Sequence, residues 1–166
     1  MTKTLFSILL ISISLMTKAA TPDAKTSNEQ FDDWVLSCVE SKGVKNCHAT
    51  QQVSNQQGQL VSTLNILKAE NGDNVIEIVL PLMLDLTIPV AVQIDDKKAE
   101  QYPYRLCNNQ ACFVLISGET PLMQKMKKGL NMRVQAKPAT QPDYLQVQFS
   151  LKGFSRAVQA LNKALD

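Results

Sequence analysis

From Phe31 onward, apolar and polar side chains alternate with a period of two, the spacing of strands with one face in a core. Trp34, Leu36 and Cys38 fall on one side, with Val35, Ser37 and Val39 opposite. Leu64 and Ile66 alternate with Thr63 and Asn65. Asn71-Gly72-Asp73-Asn74 then supplies a turn before the run Val75 to Leu80. Val90, Val92 and Ile94 alternate with Ala91 and Gln93, and Met132, Val134 and Ala136 with Arg133 and Gln135. Phe113-Val114-Leu115-Ile116 is continuously apolar and predicts a central strand. Leu145 to Leu151 gives the clearest half-buried antiparallel pattern.

Two segments change period. Pro121 to Lys128 has Thr120 in the N-cap position, Pro121 in the first turn and Gly129 at its end, with Leu122 and Met126 on one face. Ser155 to Leu165 carries an apolar stripe of Val158, Leu161 and Leu165. Eight or nine strands with two short helices predict a mainly β protein, an antiparallel sandwich with peripheral helices. The polar stretch 20–30 reads as a flexible leader, and residues 31–166 as a single domain.

The first nineteen residues read as an address. Lys3 precedes an apolar run from Leu5 to Met16, and Thr17-Lys18-Ala19 places small residues before a cut after Ala19. That is the layout of a secretory signal peptide. A spanning anchor needs about 20 apolar residues, more than this run offers. Glu77, Asp85, Pro81 and Pro89 argue against a membrane span in the later apolar stretch 75–94, so no transmembrane segment is expected once the signal is removed. That stretch reads as two strands joined by an apolar connection.

Charge narrows the partners. The full chain carries a formal +2, but loss of residues 1–19 removes Lys3 and Lys18 and no acid, which leaves the remainder neutral. A neutral domain with nine aromatic residues in the whole chain has neither the field nor the stacking surface for nucleic acid.

Cys38, Cys47, Cys107 and Cys112 form an even set behind an export signal, which reads as two structural disulfides. Four cysteines allow three connectivities. The neighbouring pairs Cys38–Cys47 and Cys107–Cys112 close the shortest loops, and Asn108-Asn109-Gln110-Ala111 looks like the tip of a cross-linked hairpin. Their spacings match no common zinc pair and contain no C-x-x-C, so neither metal nor redox chemistry is favoured.

The search for catalytic chemistry finds little. His48 is the only histidine and reads as a strand residue beside a disulfide. No G-x-S-x-G, G-x-G-x-x-G or P-loop pattern occurs. Asp32-Asp33 and Asp95-Asp96 are neighbours whose side chains diverge on a strand, and read as solvated turn carboxylates. Lys125, Lys127, Lys128 and Arg133 read as a solvated basic helix end. No enzyme activity and no cofactor are expected. The stretch between Pro81 and Pro89 is the more informative one. Leu82, Met83, Leu84, Leu86 and Ile88 either fill the core or form an apolar rim for a protein partner, and the flanking prolines stiffen it for contact.

Taken in order, Trp34-Val35-Leu36-Ser37-Cys38, Cys47, Leu80-Pro81-Leu82, Val92-Gln93-Ile94-Asp95, Tyr104-Arg105-Leu106-Cys107 with Cys112, and Leu151-Lys152-Gly153-Phe154 with Ala157 and Leu161 carry a likeness. The chain resembles the invasion-associated locus B family of exported bacterial proteins over nearly all of residues 31–165. The resemblance implies an immunoglobulin-like β-sandwich, paired cysteines, and a place in the periplasm, at the outer-membrane surface or outside the cell. It implies an association with host-cell invasion and brings no catalytic residues. The chain departs from the pattern between Met83 and Pro89, where similar proteins usually carry a glycine in a hairpin and this one has none. Two functions follow from these readings. One is a non-enzymatic binding or accessory protein that contacts a host-surface or envelope protein. The other is a periplasmic folding or envelope-maintenance factor that holds client proteins.

The mature protein is expected to begin at Ala20. Intact-mass measurement on protein recovered from its native host checks this, and a product retaining Leu5 to Leu15 refutes it.

Overall fold

A computed structural model describes residues 24–165. Eleven strands and two helices follow in chain order: β1 (Lys25–Phe31), β2 (Trp34–Ser41), β3 (Val44–Ser54), β4 (Leu60–Lys68), β5 (Asn74–Leu80), β6 (Val90–Ile94), β7 (Glu100–Tyr102), β8 (Leu106–Cys107), β9 (Cys112–Ser117), α1 (Pro121–Lys128), β10 (Asn131–Ala136), β11 (Leu145–Ser150) and α2 (Phe154–Leu165). The strands form a seven-stranded sheet, in the order β1-β2-β3-β4-β5-β9-β8, and a four-stranded sheet, in the order β11-β10-β6-β7. All pairings are antiparallel. This is the expected mainly β, immunoglobulin-like sandwich with two peripheral helices. Its larger sheet begins as a meander of five successive strands.

The period-two pattern becomes burial. Trp34, Leu36, Leu64, Ile66, Ile76, Ile78, Val114 and Ile116 line the inner face of the larger sheet. Val90, Val92, Met132, Val134, Val147 and Phe149 answer from the smaller one. The smaller sheet does not cover the whole inner face. Helix α2 covers the β1–β3 end and inserts Phe154, Ala157, Val158 and Leu161. The ring of Phe154 meets that of Trp34 edge-on at 4.9 Å, an arrangement favourable to aromatic pairs.

The two layers are joined by polar groups at one point. The Trp34 indole Nε1 donates to the Ser150 carbonyl at 2.9 Å. The side-chain amide of buried Gln51 donates to the carbonyls of Asp33 (2.9 Å) and Ser150 (3.1 Å), and its Oε1 accepts the Ser150 N–H at 2.8 Å. The turn between β1 and β2 therefore docks on the turn between β11 and α2. Gly153 makes that docking close: it has φ +87°, and a Cβ there would lie 1.9 Å from the Phe31 carbonyl oxygen. No other residue fits this position without moving backbone. Asp32 adds an ion pair to Arg156 across the same junction.

Three expectations change. The stretch 20–30, read as a flexible leader, contributes residues 25–30 to β1, which pairs with β2 along its whole length. Its side chains are almost all exposed, so an edge strand with two wet faces leaves no apolar alternation to read. Residues 20–23 and the signal segment 1–19 lie outside the described residues. The Phe113–Ile116 run is not central: beyond Phe113, β9 has a neighbour only in β5, and Leu115 faces solvent. Finally, the sequence under-counted strands because β7 and β8 are only three and two residues long.

Helix α1 occupies the expected Pro121–Lys128, but its ends work differently. The Thr120 hydroxyl donates to the Ser117 carbonyl at 2.8 Å rather than capping the helix. Gly129 has φ −87°, and what demands glycine there is space, since a Cβ would lie 2.5 Å from the Ile94 side chain. Helix α2 starts one residue before the expected Ser155.

Gln51→Leu is expected to lower unfolding free energy by about 2–4 kcal/mol, because it strands the Ser150 N–H and the Asp33 carbonyl in a part-buried site, while the Ser150 carbonyl keeps its bond from Trp34. The denaturant midpoint measures it; an unchanged midpoint would show the junction to be dispensable.

Candidate functional site

Each disulfide joins residues that face each other directly in a strand ladder, Cys38–Cys47 between β2 and β3 and Cys107–Cys112 between β8 and β9. No described cysteine is free. Bridges over loops this short contribute about 2–3 kcal/mol each in the chain-entropy picture. They hold strands in register and present no exposed thiol.

His48 lies half-buried on the outer face of β3, opposite Ser37. One charge of the basic cluster is neutralised, since Lys125 pairs with Glu100, while Arg133 donates to the neutral Gln93 side chain at 2.9 Å. The acidic pairs do more than face solvent. Asp32 holds Arg156, and Asp95 Oδ1 accepts the backbone N–H groups of Leu130 (3.0 Å) and Asn131 (2.8 Å). Among the described residues, no group of three or more His, Cys, Asp or Glu side chains is placed to hold a metal ion. No helix there is long and apolar enough to cross a membrane.

The Pro81–Pro89 stretch is not a hairpin. It leaves β5 in the larger sheet and enters β6 in the smaller one. Pro81 has no N–H to continue the β5 ladder. The chain is then pinned on either side of Leu84: the Met83 carbonyl accepts the Ala139 N–H and the Asp85 N–H donates to the Lys137 carbonyl, both at 2.8 Å. Asp85 stops the extended run with a turn in which its Oδ1 accepts the Thr87 N–H (3.0 Å) and hydroxyl (2.6 Å). Those bonds hold the Asp85 carboxyl below its ordinary range. Burial, reinforced by the charge of Asp85, pushes the Tyr104 phenol up.

This pinning sorts the five candidate contact residues. Met83 is 70% exposed, Leu86 53% and Leu82 39%. Leu84 is only 8% exposed, and Ile88 is half-buried beside Pro89 and the first residue of β6. The two alternatives are thus divided among the five candidates: Leu82, Met83 and Leu86 form a rim, and Leu84, with Ile88 in part, is corrected to the core. The isolated bridge between Leu84 and Pro138 turns the Leu84 side chain into the core, and the entry into β6 carries Ile88 partly in.

Met83 has φ +66°, a left-handed conformation that is costly for a residue with a Cβ. The backbone here thus takes a shape that glycine would ease, and uses it to hold a long apolar side chain in solvent.

The facing wall is the loop between β10 and β11, which the sequence reading passed over. Pro81, Leu82 and Met83 oppose Pro138, Tyr144 and Gln146 across an open groove of about 410 Å³. Tyr144 is steadied by the Lys137 ammonium, 5.4 Å from its ring centre. The same ammonium donates to the carbonyls of Gln141 (2.6 Å) and Pro142 (2.7 Å). Two prolines and a tyrosine within residues 138–144 were the available signal.

A family model described as invasion associated locus B (IalB) protein matches residues 34–162. The chain belongs to the IalB family. Invasion protein B homologs from two Brucella abortus strains, 2308 and biovar 1 strain 9-941, are each 28% identical to it over 158 residues, 93% of this chain and 91% of theirs. The crystal structure of invasion associated protein B from Bartonella henselae superposes with a TM-score of 0.70 at 22% identity, covering 83% of this chain and 96% of that one. That likeness establishes the shared fold. The IalB family is named for its association with invasion and not for a reaction.

The inward and outward assignments separate by mutation. Leu84→Ala is expected to cost about 2–4 kcal/mol by opening a core cavity. Met83→Gly is expected to leave stability unchanged or raise it by up to about 1 kcal/mol. Denaturant titrations of the two variants check this, and equal losses would refute it.

Proposed function

We propose that this IalB-family chain is an exported, non-enzymatic binding or accessory protein of the bacterial envelope or surface, and that it contacts a protein partner through the groove between residues 81–86 and 137–144. The observation that carries this reading is the presentation of Met83. A strained backbone position displays a flexible apolar side chain, with Leu82 and Leu86 exposed beside it and Tyr144 across the groove. Exposed apolar clusters of this kind mark contact sites, and methionine adapts to varied partners. Export is supported by the signal-like residues 1–19 and by two disulfides, which persist in oxidising compartments. The likeness to the invasion protein B homologs of Brucella abortus supports a role in invasion. In this reading the disulfides and the core set the shape, and the groove does the work.

A photo-crosslinking residue placed at position 83 is expected to trap a defined protein on intact producing cells, whereas one placed at exposed Val44, on the far side of the larger sheet, is not. Met83→Lys is expected to reduce partner capture at least several-fold with a melting temperature within about 2 °C of the parent, as for an exposed position away from packing. Equal trapping from both positions, or undiminished capture by Met83→Lys, would refute the groove as the contact surface.

A further inference from the structure

We infer that the outer edge of β11 receives an extended segment of the partner protein as an added strand, with the groove seating its side chains; this rests on the protein-contact reading of that groove. In an antiparallel ladder, residues alternate between those whose N–H and C=O face the neighbouring strand and those whose groups face away. Ser150 gives both of its groups to Gln51, so they face away from β10. Steps of two place the backbone groups of Gln148 and Gln146 on the same outward side. The partner of Ser150 in β10, Asn131, agrees: its carbonyl accepts the Asp95 N–H at the far side, towards β6.

Among the described residues, no protein group bonds the outward N–H and C=O of Gln146 or Gln148. Both residues are exposed. The edge already holds one amide as a neighbouring strand would hold it, since Gln51 both donates to and accepts from Ser150. Two further residues of the same edge remain open, and Gln146 is also a wall of the groove with Leu82, Met83 and Tyr144. An occupant that satisfies the edge and enters the groove is an extended polypeptide.

Charge completes its description. Lys137 is engaged by the loop carbonyls, while Asp143 on the groove wall has no ion-pair partner among the described residues. Asp143 is the one charged side chain among the residues that line the groove, so the segment carries an aliphatic side chain against Leu82 and Met83 and a cationic one beside Asp143.

The probe is an acetylated and amidated hexapeptide, Thr-Leu-Thr-Leu-Lys-Thr, together with the same peptide N-methylated at alternate residues, titrated into ¹⁵N-labelled protein. The plain peptide is expected to slow amide exchange at Gln146 and Gln148 and to leave Val147 and Phe149, already bonded to β10, unchanged. N-methylation is expected to weaken binding about tenfold or more, as loss of strand hydrogen bonds requires. Gln146→Pro is expected to do the same while melting like the parent, because proline is accepted where an edge N–H points to solvent. Equal binding of the methylated peptide, with loss of both in Met83→Lys, overturns strand addition and leaves the groove reading standing. No binding of either peptide, with cellular capture also indifferent to Met83→Lys, overturns both. Protection of Gln146 and Gln148 that appears on concentrating the protein without peptide also overturns the proposal, by assigning the edge to a second copy of the chain.

Discussion

The sandwich depends on one side-chain amide. Gln51 projects inward from β3, and buried amides are costly unless their donors and acceptors are matched. Here the matching groups belong to the opposite layer: the Ser150 peptide and, from the adjacent turn, the Asp33 carbonyl. That bonding sets where β11 lies over the larger sheet. The rest follows from its position. Leu151 enters the core, Gly153 turns the chain against Phe31, and Phe154 arrives over Trp34 to begin the helix that closes the β1–β3 end. Apolar burial supplies most of the driving force but has no direction; the amide gives it an alignment.

Much of this was legible in the residues because a half-buried strand writes its orientation every second position. Trp34-Leu36-Cys38 and Val147-Phe149-Leu151 face inward as their alternation demands. Pro121 and Gly129 delimit a helix correctly, although neither the cap nor the glycine works by the usual mechanism. What escaped reading has no periodic signature. β1 is polar on both faces and owes its place to backbone pairing with β2. Gln51 looks like any other polar residue of an alternating strand until the opposing layer is in place. Asp32 and Asp95 read as turn carboxylates, yet they tie segments more than thirty residues apart.

The contact surface shows the same division. The apolar stretch between two prolines announced itself, but its division into an inward Leu84 and an outward Met83 came from pairing with residues 137–139, a long-range event. A segment crossing between sheets must bury something to be fixed. Leu84 serves as that anchor, and the alternation on either side of it turns its neighbours outward. Fixing the backbone in advance reduces the entropy that a partner must overcome. An exposed methionine on a pinned frame combines a stable scaffold with an adaptable tip.

The meander of the larger sheet bears on the order in which the chain is made. Residues 34–80 hold four consecutive strands that pair with one another in chain order, so this part of the sheet assembles from local contacts. Its inner face, with Leu64, Ile66, Ile76 and Ile78, is covered by a layer that β6 and α1 begin and that β10, β11 and α2, from residues 131–165, complete. A nascent or truncated chain that stops short of β10 is therefore a paired sheet whose greasy side has only part of its cover. For such a molecule the last fifth of the polypeptide is the lid on its own stickiness, and the interval before that lid arrives is when the protein most needs shelter from its neighbours.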